Sequence, residues 1–321
     1  MADSKIRQNK HSSSLKNELV KSKIVVILGP NASGKSDLAI KIAKNFNGEI
    51  ISADSRQVYK GMDIGTGKVP IKKRKGGLYY QGIRHYLIDV ASPKKIFTVT
   101  DYQKLAKKAI KEVIKKGKLP IICGGTGFYI DALIYEYQFP NVKPQPELRK
   151  KLEKFSTEKL FKKLKKLDPQ YAQKIDSHNR RRLIRTIEII TTLKKPMPPL
   201  IKNSPYEVLK IGVWRSPNEL KKRIEKRLLK RINEGMIKEV KKLHQNGVSY
   251  KRLYDFGLEY RYISLYLQNK ISYEIFINQL KNKIWQYARR QMIWFKKDEE
   301  IKWISNFSEA QKLLKNFLKN I

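Results

Sequence analysis

The sequence predicts an α/β protein: a parallel sheet flanked by helices, with an all-helical insertion. Three observations predict it. Between residues 23 and 137, short β-rich runs alternate with stretches of helical spacing. Pro140, Pro144 and Pro146 then break that pattern, and 147–192 reads as helices rich in Lys and Arg with no strand. Beyond the proline-rich joint Lys195-Pro196-Met197-Pro198-Pro199, a β-rich run at 208–214 can rejoin the first sheet. The implied division is a flexible leader at 1–22, a core at 23–140 and 205–318, and an insertion at 141–204 entered and left by joints that can swing.

Within the core, 24–28, 49–52 and 119–123 read as strands. Residues 35–45 and 101–116 carry helical spacing, with Thr98 or Thr100 placed to cap the second. The crossovers should be right-handed. From 217 to 318 the chain is mostly amphipathic helix, with turns at Asn246-Gly247 and Gly257. The leader is polar and charged without an apolar core, which is expected of neither a signal peptide nor a membrane anchor.

The chain has 321 residues, 40% of them hydrophobic, enough for one large domain and an insertion. Seventy Lys and Arg against 29 Asp and Glu leave a formal charge of +41, which favours polyanions such as RNA, DNA or an acidic membrane. Part of that excess is Lys spread over solvated faces, so charge alone does not choose among them. The longest clean apolar run, 24–28, is strand-sized, so no membrane span is expected. A single cysteine, Cys123, excludes an intramolecular disulfide, and four His offer no zinc-finger spacing. A cytoplasmic monomer is expected.

Gly29-Pro30-Asn31-Ala32-Ser33-Gly34-Lys35-Ser36 matches G-x-x-x-x-G-K-[ST] and lies between a strand and a helix, where the mechanism needs it. Consecutive amides in such a turn form an anion nest at a positive helix end; Lys35 would reach the terminal phosphates and the Ser36 hydroxyl would bind Mg²⁺. The core is therefore expected to be P-loop NTPase-like. ATP is the usual ligand of such a loop, which makes a kinase the first reading from the loop alone.

Asp54 follows the second strand within Ser52-Ala53-Asp54-Ser55-Arg56-Gln57-Val58-Tyr59, on the same sheet edge as the loop. It is either a general base or the cap of a following helix. Then come Tyr59-Lys60-Gly61-Met62-Asp63-Ile64-Gly65-Thr66-Gly67-Lys68, Arg84-His85-Tyr86-Leu87-Ile88-Asp89, and Gly124-Gly125-Thr126-Gly127-Phe128-Tyr129. In this order the blocks resemble the tRNA dimethylallyltransferases, whose motifs run phosphate loop, D-S-x-x-x-Y-x-G-M-D-I-G-T, H-x-L-I-D and G-G-T-x-x-Y. The resemblance continues through Pro146-Glu147-Leu148-Arg149, Asn179-Arg180-Arg181-Arg182-Leu183-Ile184-Arg185, Arg223-Ile224-Glu225-Lys226-Arg227 and Arg289-Arg290-Gln291-Met292-Ile293-Trp294-Phe295-Lys296. It covers about residues 23–305. Three departures stand out: Ile293 replaces the usual Thr, Arg289-Arg290 replaces Lys-Arg, and the block 254–261 is longer than the common G-Y-R form.

The resemblance implies transfer of a dimethylallyl group from dimethylallyl diphosphate to N6 of the adenosine at tRNA position 37, with Mg²⁺ as cofactor. Lys35 and the loop would stabilise the leaving diphosphate. Arg223 and Arg227, four apart on one helix face, would clamp it or simply line a solvated face. Asp54 would accept a hydrogen bond from the adenine amino group, with Thr126 helping from the opposite side. For the tRNA anticodon stem-loop the resemblance points to Asp54, Ser55, Arg56, Gln57, Thr126 and Arg149 near the base. It adds Arg181, Arg182, Leu183, Ile184 and Arg185 in the insertion, and Arg289, Arg290 and Gln291 near the end. Tyr260, Trp285 and Trp294 are stacking faces or core residues, and His85 is structural or supports a site residue from behind. The rival readings are a P-loop kinase, a prenyltransferase of free adenine nucleotides, and a non-catalytic RNA-binding switch.

Overall fold

The computed structural model describes residues 21–319, so the predicted leader lies outside the described residues up to position 20. The chain enters the sheet directly with β1 (Ser22–Leu28), followed by α1 (Lys35–Asn45) and β2 (Gly48–Ser52). Next comes β3 (Lys72–Arg74), β4 (Gly77–Tyr80) and β5 (Ile83–Tyr86), then α2 (Val99–Lys115), β6 (Leu119–Gly124) and α3 (Gly127–Ile134). Helices α4 (Pro146–Leu152), α5 (Thr157–Leu167), α6 (Pro169–Ala172) and α7 (Arg180–Leu193) precede β7 (Tyr206–Val213). The remainder is α8 (Pro217–Asn233), α9 (Met236–Gln245), α10 (Tyr250–Phe256), α11 (Leu258–Leu267), α12 (Tyr273–Phe295), β8 (Lys302–Ile304) and α13 (Phe307–Lys319).

The sheet order is β3-β4-β5-β2-β6-β1-β7-β8. Strands β5 through β8 pair in parallel, and β7 does rejoin β1, in register from Ser22↔Tyr206 to Leu28↔Gly212. Val25, Val26 and Ile27 of β1 are fully buried because helices cover both sheet faces, the ordinary state of a central parallel strand. The expected parallel sheet is present, and at one edge β3 and β4 add an antiparallel meander onto β5 that the sequence reading did not include. The run 72–86 is rich in Lys, Tyr and Gly and lacks clean alternation. Its β4–β5 connection is the two-residue turn Gln81-Gly82, both at positive φ (49° and 82°), which twists with the strands it joins. The three-residue β8 was also unforeseen, being too short to carry a period. Thr98 rather than Thr100 caps α2: its hydroxyl accepts from Asp101 N while the Asp101 carboxylate accepts from Thr98 N, a capping box.

Helices α4–α7 enclose a small core of their own, Leu152, Leu160, Leu164, Leu183, Ile187 and Ile190 among others. Leu183 and Ile184 were expected to face RNA. Their side chains are 0% and 8% exposed and pack inward, because the helix turns them to the apolar stripe opposite Arg181 and Arg182. At the root of this unit lies the buried Glu188 of α7. It accepts from Gln145 N (2.6 Å), from Arg149 Nε and Nη2 (2.8 Å each), and from Arg185 Nη1. Burial opposes its ionisation, but the hydrogen bonds from Arg149, Gln145 and Arg185 hold the carboxyl below its ordinary range. Arg149 and Arg185, expected at the substrate, are thus tied to Glu188, and Arg185 also donates to Val142 O (2.8 Å).

Replacing Leu183 with Ala should lower stability by about 3 kcal/mol, the usual cost of truncating a fully buried Leu, read from urea denaturation.

Candidate active site

The site is built at the carboxyl edge of the sheet. After β1 the chain turns through Gly29 (φ 150°), where a Cβ would be strained and tight, 3.0 Å from Ser33 Oγ and 3.1 Å from Val213 O. Ala32 (φ 64°) and Gly34 (φ 95°) take left-handed backbone just before α1, the kind of conformation from which anion nests are built at a helix start. Lys35 and Ser36 occupy the first turn of α1 and line a cleft with Asn31, Asp54, Gln57, Thr66, Gly67 and Arg227. Burial, then the charges of Arg227 and Arg231, pull the Lys35 ammonium below its ordinary value, while Cys123 and Asp54 oppose the shift.

Helix α8 supplies the opposite wall. Arg223 donates from Nε to Ala32 O of the loop (2.8 Å), and Arg227 faces the cleft. Burial, then the neighbouring Arg231, pushes the Arg227 guanidinium down to about 10. Arg231 was missed by the sequence reading, although it continues the spacing of four from Arg223 and Arg227. It donates to Gly65 O (3.4 Å) and pairs with the buried Glu259 at 3.3 Å. Burial raises the Glu259 carboxyl, against the pull of Arg231. Gly67, at φ 63°, leaves room for both guanidiniums: a Cβ there would lie 1.7 Å from Arg231 Nη2 and 2.2 Å from Arg227 Nη2.

A second cleft adjoins the first and shares Asn31, Asp54, Thr66 and Arg227 with it. Its remaining wall includes Ser55, Arg56, Gly65, Arg231, Phe256, Gly257, Glu259, Tyr260 and Tyr287. Asp54 stands between the two. Residues 55–58 form turns rather than a helix, so Asp54 is not a helix cap. Its Oδ1 accepts from Arg56 N (2.8 Å) and Gln57 N (3.3 Å), an Asx turn that fixes the carboxylate at the junction. Thr126, expected on the opposite side, lines neither cleft; its hydroxyl accepts from Ser55 N (3.1 Å) and so braces the neighbour of Asp54. Arg56 is held by Phe256 O (2.8 Å), and Gln57 Nε2 lies 3.5 Å from Thr66 O and Gly67 O.

The structure disperses the other expected contacts. Gln291 is not a surface residue: it is 6% exposed, accepts from Asn31 N (2.9 Å) and donates to Gly125 O (2.8 Å), pinning the phosphate loop to the turn after β6. Arg289 and Arg290 are exposed on α12, and Arg289 borders a separate apolar groove containing Trp214, Trp285 and Ile293. Arg181 reaches across from α7 to Asp255 (2.8 Å), and Arg182 is exposed. Tyr260 is a core residue whose hydroxyl donates to Glu239 (2.8 Å), and Trp285 packs against the α8–α12 core. Trp294 donates from Nε1 to Asp131 Oδ2 (3.2 Å). His85 is buried against the first cleft, its Nδ1 3.0 Å from Ile83 O.

A strand, a phosphate-loop sequence and a helix that opens on Lys and Ser, facing a basic wall and one central carboxylate, define a P-loop α/β enzyme with two adjoining clefts at the sheet edge. The IPP transferase family profile matches residues 57–298, and the chain belongs to that family. It is 44% identical over 304 residues to the tRNA dimethylallyltransferase of Acetivibrio thermocellus, covering 91% of this chain and 95% of that one. Among solved structures it resembles the tRNA isopentenylpyrophosphate transferase of Bacillus halodurans, at TM-score 0.67 and 34% identity over 93% of this chain and 96% of that one. A eukaryotic dimethylallyltransferase captured acting on tRNA matches at TM-score 0.73 and 25% identity, over 93% and 80% of the two chains.

Two expectations follow. Gly67→Ala should weaken binding of inorganic diphosphate by about ten-fold in calorimetry, while strain at positive φ costs only about 1 kcal/mol of stability. Burial pushes the Asp131 carboxyl up to about 6, so the folded state gains most when this group is protonated and loses that gain as pH rises from about 4 to 6. Asp131→Asn should therefore be more stable than the wild type at pH 7, on the order of 1–2 kcal/mol, and equal to it near pH 4 in thermal denaturation.

Proposed function

We propose that the protein transfers the dimethylallyl group of dimethylallyl diphosphate to N6 of the adenosine at position 37 of tRNA, releasing diphosphate. The observation that carries this reading is the placement of Asp54 at the junction of two clefts, one floored by the phosphate loop and one open beside it. The allylic C–O bond breaks with carbocation character, so the first cleft must stabilise negative charge growing on diphosphate. The loop amides, Lys35, Arg223 and Arg227 bind its oxygens. A hard, oxygen-seeking Mg²⁺ suits the Ser36 hydroxyl beside those oxygens, where it would neutralise part of the leaving-group charge.

The adenine enters the second cleft after leaving the anticodon-loop stack, a step costing a few kcal/mol that contacts in the cleft offset. Asp54 accepts a hydrogen bond from the N6 amino group, aims its lone pair at the allylic carbon, and takes the proton as the N–C bond forms. Thr126 acts through Ser55 to hold that carboxylate in place. Exposed Arg181 and Arg182 on the insertion at 141–204, with Arg289 and Arg290 on α12, offer cations to the tRNA backbone. No helix among the described residues is long and apolar enough to cross a membrane. The protein acts in the cytoplasm as a monomer.

The test incubates protein, Mg²⁺ and labelled dimethylallyl diphosphate with unmodified tRNA or with AMP, using wild type and Asp54→Ala. Label should enter tRNA, and Asp54→Ala should lower kcat by about 10² or more. Label in AMP would favour a free-nucleotide prenyltransferase; ATP consumption without labelling would favour a kinase.

A further inference from the structure

Residues 63–67 form a strap along the boundary of the two clefts. Gly65 faces the second cleft, Gly67 faces the first, and Thr66 lines both. The strap lies outside sheet and helix and closes two bonds of its own, Gly67 N to Ile64 O and Lys68 N to Asp63 O (3.0 Å each), so the amides of 63–65 are left for partners outside it. Its far end is held by the buried Lys68 ammonium, which donates to Tyr59 O (2.7 Å), Asp63 Oδ1 (2.7 Å) and Asp89 Oδ1.

Its middle is held by Glu239 of α9. Glu239 Oε2 accepts from Asp63 N (2.8 Å) and Ile64 N (2.6 Å), and Oε1 accepts from Gly65 N (3.1 Å). Three successive amides thus converge on one carboxylate, an anion nest filled by the chain's own anion. Oε1 also accepts from the hydroxyl of Tyr260, a buried wall of the second cleft (2.8 Å). The strap lies so close to this wall that a Cβ on Gly65 would be 2.7 Å from Tyr260 Oη. On its other side, Arg227 and Arg231 rest against Gly67. One carboxylate therefore holds the middle of the strap, and the strap abuts the arginines of the first cleft and the tyrosine of the second.

We propose that Glu239 is a positioning residue for the transfer, fixing the diphosphate in the first cleft relative to the base in the second; this rests on the transfer reading above. Charge-assisted N–H···O⁻ bonds are about twice as strong as neutral ones, so the nest is set firmly. Gln at this position offers one oxygen and presents an NH₂ group to amides that need an acceptor, leaving part of the nest unpaired. The strap then drifts, and a displacement of about 1 Å between reacting groups costs up to about 100-fold in rate.

Wild type, Glu239→Gln and Tyr260→Phe are compared by steady-state transfer to tRNA and by amide hydrogen exchange. In Glu239→Gln, kcat should fall about 10- to 100-fold while KM for dimethylallyl diphosphate stays within about three-fold, because the phosphate loop still binds it. Exchange in 63–67 should rise with the sheet unchanged. Tyr260→Phe keeps the amide bonds and should lose only about three-fold in kcat. A folded Glu239→Gln with wild-type kcat, with wild-type protection of the strap, or with a kcat loss that disappears well below its melting temperature overturns the assignment. If Glu239→Gln does not fold, an unchanged kcat in Tyr260→Phe overturns it. A wild type that transfers nothing to tRNA defeats the transfer reading instead, whereas transfer by wild type and both variants alike defeats only the role of Glu239.

Discussion

The structure is organised around a concentration of positive charge at the carboxyl edge of a parallel sheet. Lys35, Arg227 and Arg231 crowd the phosphate loop, with Asp54 and Glu259 as the nearest counter-charges. Burial, and then the repulsion among cations held this close, lowers the pKa of both Lys35 and Arg227. Such an arrangement is unfavourable on its own and becomes favourable when a polyanion enters. The diphosphate of the proposed reaction would supply the missing charge.

The rest of the core serves to hold that cluster still. Gln291 bridges the loop to the turn after β6, Arg223 ties α8 to Ala32, and Glu239 pins the strap that borders both clefts. These are neutral or singly charged contacts of 2.6–2.9 Å from three helices distant in sequence. The helical unit α4–α7 follows a different plan. It has its own apolar core, its buried Glu188 gathers two arginines at the root of the unit, and Arg181 and Arg182 lie on its exposed face.

Much of the fold was legible because its signals are local. β1, α1, β2, β6 and β7 fall within about two residues of the runs read from the sequence, since buried strands and capped helices write their periods into consecutive positions. The meander at 72–86 and the short β8 were not legible, because their pairing depends on a partner edge and not on their own composition. In the site, the phosphate loop and Asp54 were read correctly as neighbours on one sheet edge. Arg149, Arg185, Leu183, Ile184 and Gln291 were placed near RNA by motif, and the structure commits them to internal contacts. Motif membership says that a side chain is needed, not what it touches.

By itself the sequence determined the family, the phosphate loop, the order of strands and helices along the chain and the basic character of the surface. Each of these is carried by residues adjacent in the chain or by composition. Only the tertiary structure decided which arginines face the clefts and which are held by Glu188, that Asp54 stands at a junction, and that Arg231 and Glu259 line the second cleft. Those facts depend on contacts between residues up to 260 positions apart, as between Asn31 and Gln291, and such pairings arise only when helices from both ends of the chain close over the same sheet edge.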